Sequence, residues 1–204
     1  TLVLYSDGSF TYWPRTDFAG TDSFTYLVSD GQATSAPVTV TITVNPVNDA
    51  PAFYLTSSGL AVNEDAGPQA VPNFATGIQP GPATATDEAG QTLTFQLTIT
   101  GTTGGLSFTQ SPALDAKGTL TFTTAPDSNG TATIEAVLFD NGGTANGGVD
   151  HTTARTFTIT VNPVNDPPTA ADVTTSTAED TAVPVTLSRT DPDGDPLTYI
   201  LVSG

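Results

Sequence analysis

One phrase occurs twice in this sequence: Thr41-Ile-Thr-Val-Asn-Pro-Val-Asn-Asp-Ala-Pro51 and Thr158-Ile-Thr-Val-Asn-Pro-Val-Asn-Asp-Pro-Pro168. Ten of its eleven positions are identical, and the copies lie 117 residues apart. A repeat of that period points to a tandem array of small domains rather than one large fold. Each copy ends a β-branched alternating strand, stops it with Asn-Pro, and presents Asn-Asp shortly before another proline. The phrase therefore reads as a joint between domains, a rigid corner with a carboxylate that a metal ion can stiffen.

Aligning the chain with itself places the domain edges. Residues 1–30 align without a gap with 111–140, so that Gly8 falls on Gly118, Asp17 on Asp127, Gly20 on Gly130 and Asp30 on Asp140. The offset then grows from 110 to 117, which gives the later copy a seven-residue insertion in its Asn141–His151 loop. Val62-Asn-Glu-Asp-Ala66 corresponds to Thr177-Ala-Glu-Asp-Thr181, and the run from Thr86 to Phe95 to that from Thr190 to Tyr199. Only a middle domain, 52–161, is complete. Residues 1–44 read as the back half of a repeat (strands 2–5, 9–13, 22–29 and 37–44), 45–51 and 162–168 as linkers, and 169–204 as the front half of the next (strands 172–176, 183–188 and 196–202). Turn signals such as Asp7-Gly8, Asp30-Gly31 and Lys117-Gly118 separate alternating runs, and no stretch has a helical apolar period. The expected fold is all-β: tandem seven-stranded Ig-like or cadherin-like sandwiches, one complete and flanked by two halves.

Composition narrows the function. There are 21 acidic and 4 basic residues, a formal charge of −17, which disfavours nucleic acid and anionic membrane surfaces. Threonine fills 40 positions, as suits strands, and no cysteine is present to build disulfides. No apolar run approaches the length of a membrane helix. The sequence does not begin with Met and has no signal peptide, so it is expected to be a piece of something longer.

Three features carry a family resemblance: Asp191-Pro-Asp-Gly-Asp-Pro-Leu-Thr-Tyr199, Gly20-Thr-Asp-Ser-Phe-Thr-Tyr26, and the Asn-Pro-Val-Asn-Asp joints. They resemble the bacterial cadherin-like and Ig-like tandem repeats of large secreted adhesins and surface proteins. The resemblance implies calcium between successive domains. It assigns Asp17, Asn48, Asp49, Asp87 and Asp140 to the first joint, and Glu64, Asp127, Asn165, Asp166, Asp191 and Asp193 to the second. The sequence departs from the family pattern: the linker's first acid is Asn45 or Asn162, and Asp87-Glu88-Ala89 stands in place of Asp-x-Asp, so a carboxylate is expected to be missing at the first joint. The alternative for these acids is that they only cap turns.

An enzyme is not expected. His151 is the single histidine, in a polar insertion, and no Ser-His-Asp apparatus can be assembled. Glu64/Asp65 and Asp87/Glu88 have the look of glycosidase carboxylate pairs, but they recur at repeat positions, which favours a structural role. Lys117 is read as a turn residue, Trp13 as a packed strand-end aromatic, and Asn129-Gly-Thr131 as a weak glycosylation sequon. The expected function is a structural repeat of an extracellular bacterial fibre or adhesin stalk, on the cell surface, stiffened by calcium. Its partners are adjacent repeats or neighbouring copies, the halves at each end closing one another head to tail. A cut at arbitrary points of a longer array is the alternative for the ends. The alternative function is a module that binds carbohydrate or protein through the 141–151 loop or Trp13.

Overall fold

The structure, a computed structural model, describes residues 1–202; Ser203 and Gly204, the end of the expected front half and of its proposed continuation into Thr1, lie outside the described residues. Four strands precede the first linker: β1 (Leu2–Leu4), β2 (Phe10–Tyr12), β3 (Gly20–Tyr26) and β4 (Val38–Val44). They form two antiparallel hairpins, β1–β2 and β3–β4. An edge-to-face contact of Phe10 with Phe24, ring centroids 5.1 Å apart, and a hydrogen bond from the Tyr12 hydroxyl to Asp22 at 2.7 Å join them.

The middle segment runs through β5 (Ala52–Leu55), β6 (Gly59–Asn63), β7 (Gln69–Val71), β8 (Ala75–Gln79), β9 (Thr94–Thr102), β10 (Phe108–Leu114), β11 (Leu120–Thr124), β12 (Gly130–Phe139) and β13 (Arg155–Asn162). One sheet has the order β6-β13-β12-β9, with β6 parallel to β13; the other has the order β10-β11-β7. The β5–β8 pair flanks the second sheet, where the Ala75 N–H donates to the Gly118 carbonyl at 3.0 Å. The front half of this domain thus has five strands, two more than the sequence signals mark.

Strand alternation builds the core. Ala132, Ile134, Ala136 and Leu138 of β12, Phe157, Ile159 and Val161 of β13, and Leu120 and Phe122 of β11 point inward, and the threonines between them point away. Each large side chain fully buried here contributes about 1.5–3 kcal/mol. Every buried apolar side chain among the described residues lies between Phe53 and Val161.

The repeat is visible in backbone torsions. Asp17 and Asp127 both take left-handed φ, 57° and 51°, and Gly20 and Gly130, three residues on, have φ of 129° and 126°. Asp65 and Asp180 match likewise, at 57° and 61°.

After the second linker the expected strands 172–176, 183–188 and 196–202 do not form. Among the described residues the only pairing there is β14 (Thr169–Ala170) with β15 (Arg189–Thr190), antiparallel. Repeat equivalence gives the reason. β14 follows its linker as β5 does, and each pairs wholly within a front half, β14 with β15 and β5 with β8. The three missing strands correspond to β6, β7 and β9, which pair with β13, β11 and β12, all in a back half. Short segments, two of them carrying Pro184 or Pro196, cannot hold a ladder without those neighbours.

Gly130 and Gly20 give a stability test. A Cβ on Gly130 would overlap the Thr103 carbonyl, whereas the nearest atom to one on Gly20 is Phe18 Cζ, 4.0 Å away. Both alanine variants suffer the positive φ, but only Gly130→Ala also displaces backbone. Calorimetric melting will show Gly130→Ala losing at least about 2 kcal/mol and more than Gly20→Ala; equal losses would contradict the packing described.

Candidate metal centre

At the first joint the chain leaves β4 through Asn45-Pro46, and residues 48 and 49 lie against the middle domain. The Asp49 N–H donates to Glu88 Oε1 at 2.5 Å, and Glu88 is 2 % exposed. The Thr84 hydroxyl donates to Asp17 Oδ2 at 2.5 Å, which brings the upstream half-domain to the same turn. Burial, then the charges of Asp17 and Asp87, hold the Asp49 carboxyl above the ordinary carboxylate range. Glu88 is raised too, by burial first and then by Asp49, Asp87 and Asp140, against the lowering effect of the Asp49 N–H. Glu88 Oε2, Asp140 Oδ2 and Gln91 Oε1 are buried without hydrogen-bond partners.

At the second joint Glu64, 3 % exposed, reaches into the linker: Oε1 accepts the Val164 N–H at 2.6 Å, and Oε2 accepts from Asn129 Nδ2 at 3.2 Å. That contact turns the glycosylation sequon inward. The Asp166 N–H donates to Asp193 Oδ2 at 2.6 Å. Carboxylate oxygens of Glu64, Asp166 and Asp193 lie within 4.8 Å of one another, as do those of Asp65, Asp127 and Asp166. Asp166 belongs to both groups and its Oδ2 is buried and unpartnered. Its own desolvation, then Asp65, Asp127, Asp193 and Glu64, raise its pKa.

The structure sorts the residues that the resemblance assigned. Glu64, Asp127, Asp166 and Asp193 come together at the second joint. Asp191 turns inward on its own loop, where Oδ1 accepts the N–H groups of Asp193 at 3.0 Å and Asp195 at 3.1 Å. Asn165 donates only to the carbonyl of Asp166. At the first joint Asp17, Asp49, Asp87 and Asp140 surround the linker, but both side-chain polar atoms of Asn48 are engaged in hydrogen bonds. Two acids were overlooked. Asp65 completes the second cluster, a place its left-handed φ beside Asp127 allows. Glu88 accepts the linker N–H as Asp193 does, one position earlier with a side chain one methylene longer, so the expected loss of a carboxylate does not occur.

The protein supplies no cation to these sites. Arg15 lies over Phe18, Arg155 over Phe53 and Tyr54, and Arg189 over Tyr199. Among the described residues no Lys or Arg meets a carboxylate, and His151 Nδ1 lies 2.8 Å from Oδ1 of its neighbour Asp150. Lys117 sits in the turn capped by Asp115, as expected, while Trp13 is half exposed instead of packed. An all-oxygen set of crowded carboxylates with orphaned buried oxygens fits calcium, which takes six to eight oxygen ligands in adaptable geometry.

No helix is long and apolar enough to cross a membrane. No curated protein matches the chain. Residues 1–46 match the bacterial cadherin-like domain family, and residues 165–204 match the bacterial Ig domain family. Domains of these kinds are typically non-enzymatic structural modules of surface proteins. The two ends of this all-β chain are thus similar to bacterial cadherin-like and bacterial Ig repeats.

Proposed function

We propose that the chain is a spacer of an extracellular bacterial surface or adhesion protein whose joints are stiffened by calcium. The observation that supports this most is the set of buried carboxylate oxygens without partners (Glu88 Oε2, Asp140 Oδ2 and Asp166 Oδ2) at the linkers of a chain whose arginines are all committed to aromatic rings. Bound calcium would offset the mutual repulsion of the carboxylates and link residues of successive domains through common ligands. At the second joint Glu64, Asp65 and Asp127 bring ligands from the middle domain, Asp193 from beyond it, and Asp166 joins the two sides. Asp17, Asp49, Asp87 and Glu88 serve in the same way at the first. The core between Phe53 and Val161 is built of apolar side chains and contains none of these acids, so the ion sets orientation and not folding.

Titration calorimetry separates the ligands. Affinity is expected in the weak extracellular range, about 10⁻⁴–10⁻³ M. Asp166→Ala will abolish binding at the second joint, Asp87→Ala will act on the first joint only, and Asp191→Ala will leave both affinities unchanged. Equal and negligible effects from all three variants leave the acids as turn caps.

The pH dependence follows from the shifted acids. Asp49, Glu88 and Asp166 keep their protons longer folded than unfolded, so the metal-free protein loses stability as pH rises from the unfolded value, near 4, through their higher folded values. Asp7, Asp22, Asp30 and Asp115 are held below the ordinary range, chiefly by N–H and hydroxyl donors, and their contribution disappears as pH falls through those low values. Melting with chelator is therefore expected to peak in mild acid, and calcium to lift the neutral side. A chelated melting temperature that climbs steadily to pH 8 contradicts this.

Association between copies belongs to the same reading. β2, β3 and β4 lack the neighbours that β7, β9 and β6 give their counterparts, and Val3, Phe10, Tyr26, Leu27 and Val38 are exposed. A segment of the kind at 169–202 has the sequences for the missing strands, and a second copy can bring it. Such head-to-tail pairing is heterologous and builds open chains unless the rotation closes. Sedimentation velocity is expected to show concentration-dependent species that Phe24→Asp removes; a monomer at every concentration rejects pairing between copies.

A further inference from the structure

The two copies of the linker phrase put the same asparagine in different surroundings. Asn165 is exposed, and its amide donates only to the adjacent Asp166 carbonyl, at 3.1 Å. Asn48 is half-buried and saturated. Its Nδ2 donates to Asp140 Oδ1 at 2.9 Å and to the Val149 carbonyl at 2.6 Å, and its Oδ1 accepts from Gln91 Nε2 at 2.6 Å. Its backbone carbonyl accepts the Val149 N–H at 2.9 Å. All these partners belong to the middle domain, and Val149 lies within the Asn141–His151 insertion.

The insertion is shaped to the linker. The Gly142 N–H donates to Asp140 Oδ1 at 2.9 Å, the same oxygen that accepts from Asn48. Asn141 Oδ1 accepts the Thr92 N–H at 2.7 Å and ties the loop to the Gln91 segment. A Cβ on Gly142 would overlap Asn48 Oδ1, and one on Gly148 would stand 3.0 Å from Asn48 Cβ. Side chains at either position would push the linker away. An aspartate at 48 would lose both amide donors and set a second charge against Asp140, so the neutral amide is the group that fits.

We infer that the Asn141–His151 insertion is a clasp for the first linker. Through Asn48, with Asp140 and Gln91 as positioning residues, it fixes the joint before any ion binds. The next residue is Asp49, whose N–H is held by Glu88. The clasp therefore presets Asp49 at the candidate cation site, a consequence that rests on the calcium reading above. The grip on the linker does not rest on it. The insertion acts on this chain's own linker and needs no carbohydrate or protein ligand to account for it.

The chain has no cysteine, so spin labels at Thr25→Cys and Thr98→Cys, both on exposed strand positions, report the first joint alone. Pulsed electron-spin distance measurements on the full chain are made with chelator and with calcium. In chelator the native distribution is expected to stay narrow, and Asn48→Ala and Asn48→Asp to widen it at least about twofold, with Gln91→Ala in between. Calcium is expected to narrow the Asn48→Ala distribution again, which a merely destabilised domain would not do. A native distribution that widens on chelation as far as that of Asn48→Ala overturns the clasp, and so does an Asn48→Ala distribution that stays narrow. If calcium changes no distribution while Asn48→Ala still widens its own, the calcium reading falls and the clasp stands. Should Asn48→Ala fail to fold by circular dichroism, Gln91→Ala decides between the same outcomes.

Discussion

Carboxylates crowd where this chain passes from one domain to the next, and the rest of the molecule gives them no counter-charge. With 21 acids and 4 basic residues, general attraction cannot neutralise the linkers. The three arginines are placed over aromatic rings, and Lys117 is in a turn. Like charges within 4.8 Å of one another and partly out of water raise each other's pKa or hold a cation. The architecture of both joints follows from that choice. Hydrogen-bond donors take up some carboxylate oxygens, and the remainder stay buried and unpartnered.

The donors are the linker's own backbone. In each joint the N–H of the linker aspartate meets a carboxylate of the following segment, from Asp49 to Glu88 and from Asp166 to Asp193. Those acceptors sit at different sequence positions and differ by one methylene, yet they satisfy the same donor. A peptide N–H bound to a charged acceptor is stronger than a neutral pair, and it pins the chain one residue after the asparagine of the repeated phrase. Prolines at 46 and 163 stop the preceding strand and restrict the turn. Proline limits the conformations open to the linker, and the carboxylate selects one of them.

The fold was legible wherever pattern and partner lie close in sequence. β2, β4 and the alternation of β11 to β13 follow from residue type, and the pairing of Asp17 with Asp127 reappears as matched torsions. What escaped was non-local. Strands expected at 172–176, 183–188 and 196–202 have good β-composition, but a strand exists by its neighbours, and those neighbours lie in a back half. At the site, linker and loop acids could be named as ligands from the repeat, whereas Asp65 and Glu88, marked only as members of carboxylate pairs, were passed over, because selection by motif ignores a neighbour one position away. Asp191 was named by the same motif, and in the structure its Oδ1 caps its own turn.

The same division into local and non-local pairing governs how such an array holds together. The pairs β1–β2, β3–β4 and β14–β15 persist with no buried side chain among them, because each is made between strands of the same half. The core appears only where front and back halves meet, between Phe53 and Val161, when β6 and β9 enclose the β12–β13 pair and β7 joins β11. Stability in a chain of this kind is therefore quantised by whole repeats. It is linked between them through the joint, where hydrogen bonds from the linker hold one segment to the next. Rigidity across many repeats must then come from those contacts, which is why charge density and hydrogen-bond donors concentrate in linkers about seven residues long, while the sandwich surfaces between them need be little more than threonine.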